Sequence, residues 1–490
     1  MFIIMISPEC APVAKVGGLA DVVFGLSREL EIRGNPVEII LPKYDCMRYD
    51  QIYDLHVDYH DLWVPHYDHW VHCTVFAGMV HGRSCFFIEP HSDRGFFSRG
   101  VFYGHNDDDE RFAFFSRAAL EFMYKANKHP DIIHCHDWQT GLVPVLLYDI
   151  YKNVGMTHPR VCYTLHNVKH QGVTGEFILR ESGLKPASEY FRLDRMQDDG
   201  NPFAINLMKS GIVYSNFVTT VSQQYAWDIK TSDQGCGLGH TLYTHSDKFG
   251  GILNGIDYDV WNPVIDRHIP YNYSIETIND KYKNKEALRH RLLLRQEYKP
   301  IIAAVGRLDH QKGVPLIKHA LHYAINNGWQ FVLLGNSNEK SLNDEFLAIK
   351  AQYNDHPDCH LEIGYDEELA HLIYAGADMI IIPSLFEPCG LTQMIAMKYG
   401  TVPIVRGTGG LTNTVFDVNT SDLPFEQRNG YVFYDYNHHG IEAALHHAVG
   451  LWYSFPETFR QVMINGMRYD YSWNNPGQNY LNIYEYIREK

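Results

Sequence analysis

Short apolar runs, each followed by an amphipathic segment of helical period, recur in two separate series along this 490-residue chain, and no other feature of the sequence narrows the fold as far. The first series opens with "FIIMI" (2–6), which reads as a buried strand. A loop with a glycine pair follows; Leu19, Val22, Val23, Leu26 and Leu30 then share one helical face before Gly34 stops the segment. "PVEIIL" is the next strand, "DIIHCHD" leads into "WQTGLVPVLLYDIYK", and "RVCYTLHN" and "FVTTVS" are further short apolar runs. Alternation of this kind predicts a parallel sheet covered on both faces.

After "GGILNGIDYDVWNP" comes a polar, tyrosine-rich stretch, and a second series then begins. It runs "PIIAAVGR", "GVPLIKHALHYAINN", "QFVLLG", "HLEIGY", "EELAHLIYAGA", "DMIIIPS", "GLTQMIAMKYG" and "TVPIVR". The length suits three domains of ordinary size or two large ones; two series favour two. The expected fold class is therefore α/β, with two Rossmann-like doubly wound domains facing an interdomain cleft. Residues 1–250 form the first, completed by a C-terminal helix over 471–490, and residues 251–470 form the second. From Val57 to Glu89, stretches such as "WVHCTVFAG" read as a hairpin-rich excursion from the first sheet.

Composition removes several function classes. With 42 Lys+Arg against 58 Asp+Glu the net charge is -16, so a nonspecific binder of the phosphate backbone of nucleic acid is excluded. No apolar run approaches the roughly 20 residues that span a bilayer, and "FIIMI" is too short for the core of a signal peptide. The expectation is a cytosolic chain, or the mature form of a plastidial one, with no membrane partner. The 9 cysteines are scattered and lack any CxxC pair, so neither a disulfide framework nor a zinc ribbon is indicated.

Ligands of open α/β sheets bind beyond the carboxyl ends of the strands. There the first series has "AKVGGLADVV" (14–23), which is neither a GxGxxG nor a Walker loop. It is an ordinary strand-to-helix turn or a phosphate site built from Gly17, Gly18, a helix N-terminus and the cation Lys15. The second series repeats the pattern in "GTGGLTNTV", with Gly409 and Gly410, and this recurrence favours phosphate. Arg307 and Lys312 of "AVGRLDHQKG" follow a buried strand, where Arg offers bidentate phosphate contacts and Lys a point charge. Glu387 of "IIPSLFEPCGLTQ" is either a helix-dipole partner or a ligand contact. Asp137 and His166 end the strands "DIIHCHD" and "CYTLHN".

Two clusters imitate metal sites. "NDDDER" contains Asp-x-Asp, yet it opens a helix, where acids favour the dipole. His56, His60, His66, His69 and His72 show no HExxH or Cys/His spacing and are expected on a strand face or in solvent.

The ordered set "KVGGLADVV", "HDWQTGL", "YTLHN", "GILNGID", "VGRLDHQKG", "FEPCGLTQMIAMKYGT" and "GTGGLTNTVFD" resembles the bacterial glycogen synthases and starch synthases of glycosyltransferase family 5, across both domains. Val16 and "TQMIAMKYGT" look more like the class III/IV starch synthase branch. The resemblance implies a GT-B fold and retaining transfer of glucose from ADP-glucose or UDP-glucose to the nonreducing 4-hydroxyl of an α-1,4-glucan or maltooligosaccharide. It implies that Lys15, Arg307 and Lys312 bind the diphosphate, with Gly17, Gly18, Gly409 and Gly410 admitting it. It places His166, Asp137, Asn254 and Glu387 around the glucose, and Tyr365 on the base. Cys389, Gly390, Leu391 and Thr392 complete the donor site, and neither a metal nor another cofactor is expected. Related families carry a second Glu where this chain has Ile395. A weakly active glucan-binding or priming scaffold is the alternative in another class; an α-glucan phosphorylase would need a cofactor lysine.

Overall fold

The apolar runs become strands whose side chains are buried almost end to end, as both-faces-covered parallel sheets require. A computed structural model describes residues 1–184, 187–353 and 355–490. Its packing divides the chain into one unit of Met1–Gly255 with Trp473–Lys490 and another of Ile256–Ser472. The division falls after Gly255 and before Trp473, a few residues beyond the expected 250 and 471. Backbone pairing accounts for the shift: Ile256 N–H donates to the Tyr471 carbonyl, and Tyr471 N–H to the Tyr258 hydroxyl, so residues 256–258 and 471 stay together.

The first unit holds a nine-stranded sheet of β1 (Ile3–Ile6), β2 (Val37–Pro42), β3 (Tyr53–His66), β4 (His69–Val80), β5 (Arg83–Pro90), β6 (Ile132–His136), β7 (Arg160–Leu165), β8 (Phe217–Thr220) and β9 (Phe249–Gly251), in the order β9-β8-β7-β6-β1-β2-β5-β4-β3. Pairing is parallel from β9 to β5, and antiparallel from β5 through β4 to β3. The expected excursion over 57–89 is thus corrected: β3 and β4 extend the main sheet, because β5 returns parallel to β2 and its far edge recruits the hairpin. Chain order reverses between β1 and β6, so this is the unit's switch point, where ligands of such sheets bind.

Helix α1 (Gly18–Ile32) buries Leu19, Val22, Val23, Leu26 and Leu30, each worth about 1.5–3 kcal/mol when removed from water. On its other side it receives the chain's last helix. A methyl added to Gly25 would lie 2.0 Å from the indole nitrogen of Trp473, and Arg33 bonds Asn474 and Gln478 at 2.7 Å. That terminal helix, Asn474–Arg488, also sends Tyr484 Oη to Nδ1 of His134 at 2.7 Å, in the centre of the sheet.

The second unit has β10 (Ile301–Arg307), β11 (Gln330–Asn336), β12 (Cys359–Ile363), β13 (Met379–Ile382), β14 (Val402–Arg406) and β15 (Tyr431–Phe433), all parallel, in the order β12-β11-β10-β13-β14-β15. This is the dinucleotide-fold order, with its switch point between β10 and β13. Four helices here escape the apolar-period reading: Lys281–Arg291, Lys340–Tyr353, His438–Ser454 and Pro456–Arg468. For the first the reason is visible in its contacts. Lys281, Lys285 and Arg289 form its inward face, donating to the carbonyls of Tyr374 and Ala375, to Asp378 and to Gln330. Cations buried on partners carry no hydrophobic period.

Candidate functional site

In the second unit, β10 delivers Arg307 to the carboxyl edge at the switch point, and a tight turn follows in which the Asp309 carboxylate accepts the Lys312 N–H at 3.1 Å. That cap aims Lys312 at the loop beyond β13, and its Nζ lies 2.6 Å from Oε2 of Glu387. Ser384 Oγ donates to the same oxygen at 3.0 Å. Glu387 is 5% exposed, so its charge is answered by Lys312 and not by a helix dipole; the next helix begins only at Thr392. Both bonds fall on Oε2, which leaves Oε1 to accept from a ligand hydroxyl. Arg307 is half exposed, and its guanidinium forms only a loose pair with Asp309 at 3.8 Å.

The second glycine loop packs against this carboxylate's own backbone. Gly410 N–H donates to the Glu387 carbonyl at 3.0 Å. A methyl on Gly409 would lie 2.0 Å from that oxygen, and one on Gly410 would lie 2.3 Å from the Cys389 carbonyl. The neighbours that demand glycine at both positions are protein backbone. The helix behind the loop, Leu411–Thr414, is a single turn, so the likeness to the α1 loop is limited. Gln393 ties the loops together, donating to the carbonyls of Cys389 and Gly390 and to Thr414 Oγ1. Cys389 is buried and in no disulfide, Gly390 is left-handed (φ +77°), and Leu391 and Thr392 open the seven-residue helix Thr392–Lys398. Tyr365 is 75% exposed in the turn between β12 and the helix Glu367–Gly376.

In the first unit, the loop after β1 is organised by a residue that sequence reasoning missed. The buried carboxylate of Glu9 accepts the N–H groups of Val16 (2.7 Å) and Gly17 (3.0 Å) on Oε2, and the Tyr103 hydroxyl (2.8 Å) on Oε1. Burial raises its pKa, opposed by these donors. The Val16 and Gly17 amides are thus both held by a carboxylate of the same loop. Lys15 pairs with Asp21 in the first turn of α1 at 2.7 Å. Gly17 has open space around its Cα, and Gly18 starts α1. The available signal for Glu9 was a carboxylate in a loop otherwise apolar, "SPECAPV".

Beyond β6, Asp137 takes φ +56°, and its Oδ1 accepts the His166 N–H at 2.7 Å, joining the ends of β6 and β7. Burial pushes the Asp137 carboxyl up to about 7, against the pull of the His166 and Asn167 amides. The His166 ring is buried and its Nε2 lies 3.0 Å from Nδ1 of His136. Burial brings His166 down to about 3, and His136 also falls well below the ordinary value. Asn254 is 5% exposed with Oδ1 unpaired among the described residues, an acceptor in want of a donor.

Among the described residues no group of three or more His, Cys, Asp or Glu side chains could hold a metal ion. Asp108, Asp109 and Glu110 sit in the first turn of α2 (Asp108–Lys125), where Asp108 accepts from Gly104, His105 and Arg111. His66 turns inward onto Glu110, while His56 and His72 bond the carbonyls of Asp54 and His60, and His69 meets Asp68 in the hairpin turn.

Residues 2–244 match the family model described as starch synthase catalytic domain, and residues 285–454 match glycosyl transferases group 1. The first match holds every first-unit candidate except Asn254; the second holds every second-unit candidate. Over 489 residues the chain is 64% identical to glycogen synthase 1 of Nitrosococcus oceani, covering 100% of both. The chain belongs to the glycogen and starch synthase family. Within that family, the catalytic domain of Arabidopsis thaliana starch synthase IV bound to ADP and acarbose superimposes with a TM-score of 0.97 at 43% identity, over 100% of this chain and 99% of that one. The two α/β units are those of the GT-B glycosyltransferase fold. A sucrose-phosphate synthase from Thermosynechococcus elongatus, 17% identical with a TM-score of 0.62 over 99% of this chain and 98% of that one, shares the fold alone. Among the described residues no helix is long and apolar enough to cross a membrane.

Proposed function

We propose that the chain transfers glucose, with retention, from a nucleoside-diphosphate glucose to the nonreducing 4-hydroxyl of an α-1,4-glucan. Family membership over its full length makes it a glucan-elongating glucosyltransferase and sets aside the scaffold alternative. ADP-glucose is the donor we assign ahead of UDP-glucose, supported by the ADP held by Arabidopsis starch synthase IV.

The observation that carries the assignment of roles is the Lys312 ammonium on the Glu387 carboxylate, in the loop that follows Arg307 at the switch point of the second sheet. A departing nucleoside diphosphate is an anion, so cations fixed in place stabilise it as the bond to the anomeric carbon breaks. Arg307 and Lys312 take that role, with Lys15 assigned to the same diphosphate. Oε1 of Glu387 accepts from a sugar hydroxyl while Oε2 stays pinned. Asp137, His166 and Asn254 are assigned to the glucose, and Tyr365 offers its exposed ring to the base. The acceptor hydroxyl attacks the oxocarbenium-like carbon from the face the diphosphate leaves, and a phosphate oxygen takes its proton. Since side-chain cations answer the leaving charge, we assign no metal and no other cofactor to the step.

The test is incubation with ADP-glucose or UDP-glucose and maltooligosaccharide, with and without EDTA, following chain length. Elongation with a preference for ADP-glucose, unchanged by EDTA, is expected. No elongation with either donor from folded protein overturns the assignment, and loss of rate in EDTA overturns its metal-free form.

A further inference from the structure

The two imidazoles at the ends of β6 and β7 share one proton, and their surroundings decide where it lies. His136 Nδ1 and His166 Nε2 are 3.0 Å apart, so one nitrogen donates and the other accepts. His136 is wholly buried, and its Nε2 has no partner among the described residues. The nearest ring, that of His134 at 4.2 Å, cannot supply one. Its Nε2 is taken by Thr164 Oγ1 at 2.6 Å and its Nδ1 by Tyr484 Oη at 2.7 Å. If His136 carried its proton on Nε2, a buried N–H would be orphaned, an arrangement that native interiors avoid more strictly than a bare acceptor. The proton therefore belongs on Nδ1, from which His136 donates to Nε2 of His166. Burial keeps both rings neutral, so His166 must carry its own proton on Nδ1, the nitrogen that makes no hydrogen bond to the described residues.

We propose that His136 is a positioning residue that sets His166 as the Nδ1–H tautomer, so that His166 presents a donor, not an acceptor, to a hydroxyl oxygen of the transferred glucose. The inference rests on the assignment of His166 to the glucose. A sugar hydroxyl offers two lone pairs but one proton, so a donor there finds an acceptor on every hydroxyl, whereas an acceptor must compete for that single proton.

The test compares His136→Asn, whose amide N–H stands at the position of Nδ1–H, with His136→Leu, which has no donor there, and with His166→Ala. Elongation kinetics are measured at saturating acceptor, with melting temperature as the fold control. His136→Leu should lose about 10- to 100-fold in kcat, while His136→Asn recovers most of it at a similar melting temperature. Equal losses in the two His136 variants overturn the inference and leave the sugar contact standing. Unchanged kinetics in His166→Ala instead remove the sugar contact on which the inference depends. A second readout needs no variant at position 136 to fold: in histidine-labelled protein, long-range proton–nitrogen spectra, assigned by difference from His166→Ala, should show His166 protonated at Nδ1. Protonation at Nε2 overturns the inference.

Discussion

Lys312 and Glu387, 75 residues apart in the chain, meet with Nζ 2.6 Å from Oε2 where the loops beyond β10 and β13 come together. The carboxylate is almost fully buried while a quarter of the lysine side chain remains in solvent (25%), so the pair is asymmetric: removing the lysine strands a charge, and removing the carboxylate does not.

Lys312→Ala should therefore lower stability by about 1–3 kcal/mol, and Lys312→Ala/Glu387→Gln should recover most of it, as measured by denaturant unfolding. Both variants should lose about 100- to 1,000-fold in kcat/KM for the donor, the range for deleting one stabiliser of developing charge. A double variant no more stable than Lys312→Ala contradicts the stranded-charge argument.

Removal of Glu9 leaves the Val16 and Gly17 amides and the Tyr103 hydroxyl without their acceptor. Glu9→Ala is expected to cost about 1–3 kcal/mol and to speed amide exchange at Val16 and Gly17. Exchange there matching the wild type would show that the carboxylate does not order this loop.

The glycines separate structural from ligand requirements. Gly409→Ala puts a methyl on the Glu387 carbonyl in a left-handed backbone, and overpacking alone costs about 1–3 kcal/mol, so its melting temperature should fall. Gly17 is extended and faces open space, so Gly17→Ala should stay within about 0.5 kcal/mol of the wild type. A higher KM for the nucleotide sugar in Gly17→Ala, at unchanged melting temperature, is the expected mark of ligand contact; an unchanged KM contradicts it.

Acid stability should follow the buried histidines. His134 and His166 are lowered from 6.5 to about 3, so between those values the unfolded chain binds more protons. Their stabilisation is full above 6.5 and is lost as pH falls toward 3, at up to about 1.4 kcal/mol per pH unit for each group. Asp137 works in the opposite sense. Raised from 3.8 to about 7, it favours the folded state below 3.8, and that contribution is lost as pH rises to 7. The melting temperature of Asp137→Asn relative to wild type should accordingly climb between pH 4 and 7; a flat difference contradicts the raised value.

The sequence by itself determined the central strands of both sheets, their parallel pairing and the placement of Arg307, Lys312, Glu387, Asp137 and His166 at carboxyl edges; the antiparallel β3–β4 extension and the short strands β9 and β15 were not legible in it. Each legible feature follows from local pattern: an apolar run long enough to be buried on both faces, and the polar residues that close it or stand in the loop after it. Partners were a matter for tertiary structure. Nothing near Glu9 in the chain announces that it will hold the amides of Val16 and Gly17, and no spacing rule joins Gly409 to the Glu387 carbonyl. The helix Lys281–Arg291 was illegible for a related reason, since its inward cations are stable only because carbonyls and Asp378 converge on them from distant segments. Hydrophobic burial is non-directional and leaves a period in the sequence. Hydrogen bonds and ion pairs are directional, and their geometry exists only once the strands are assembled.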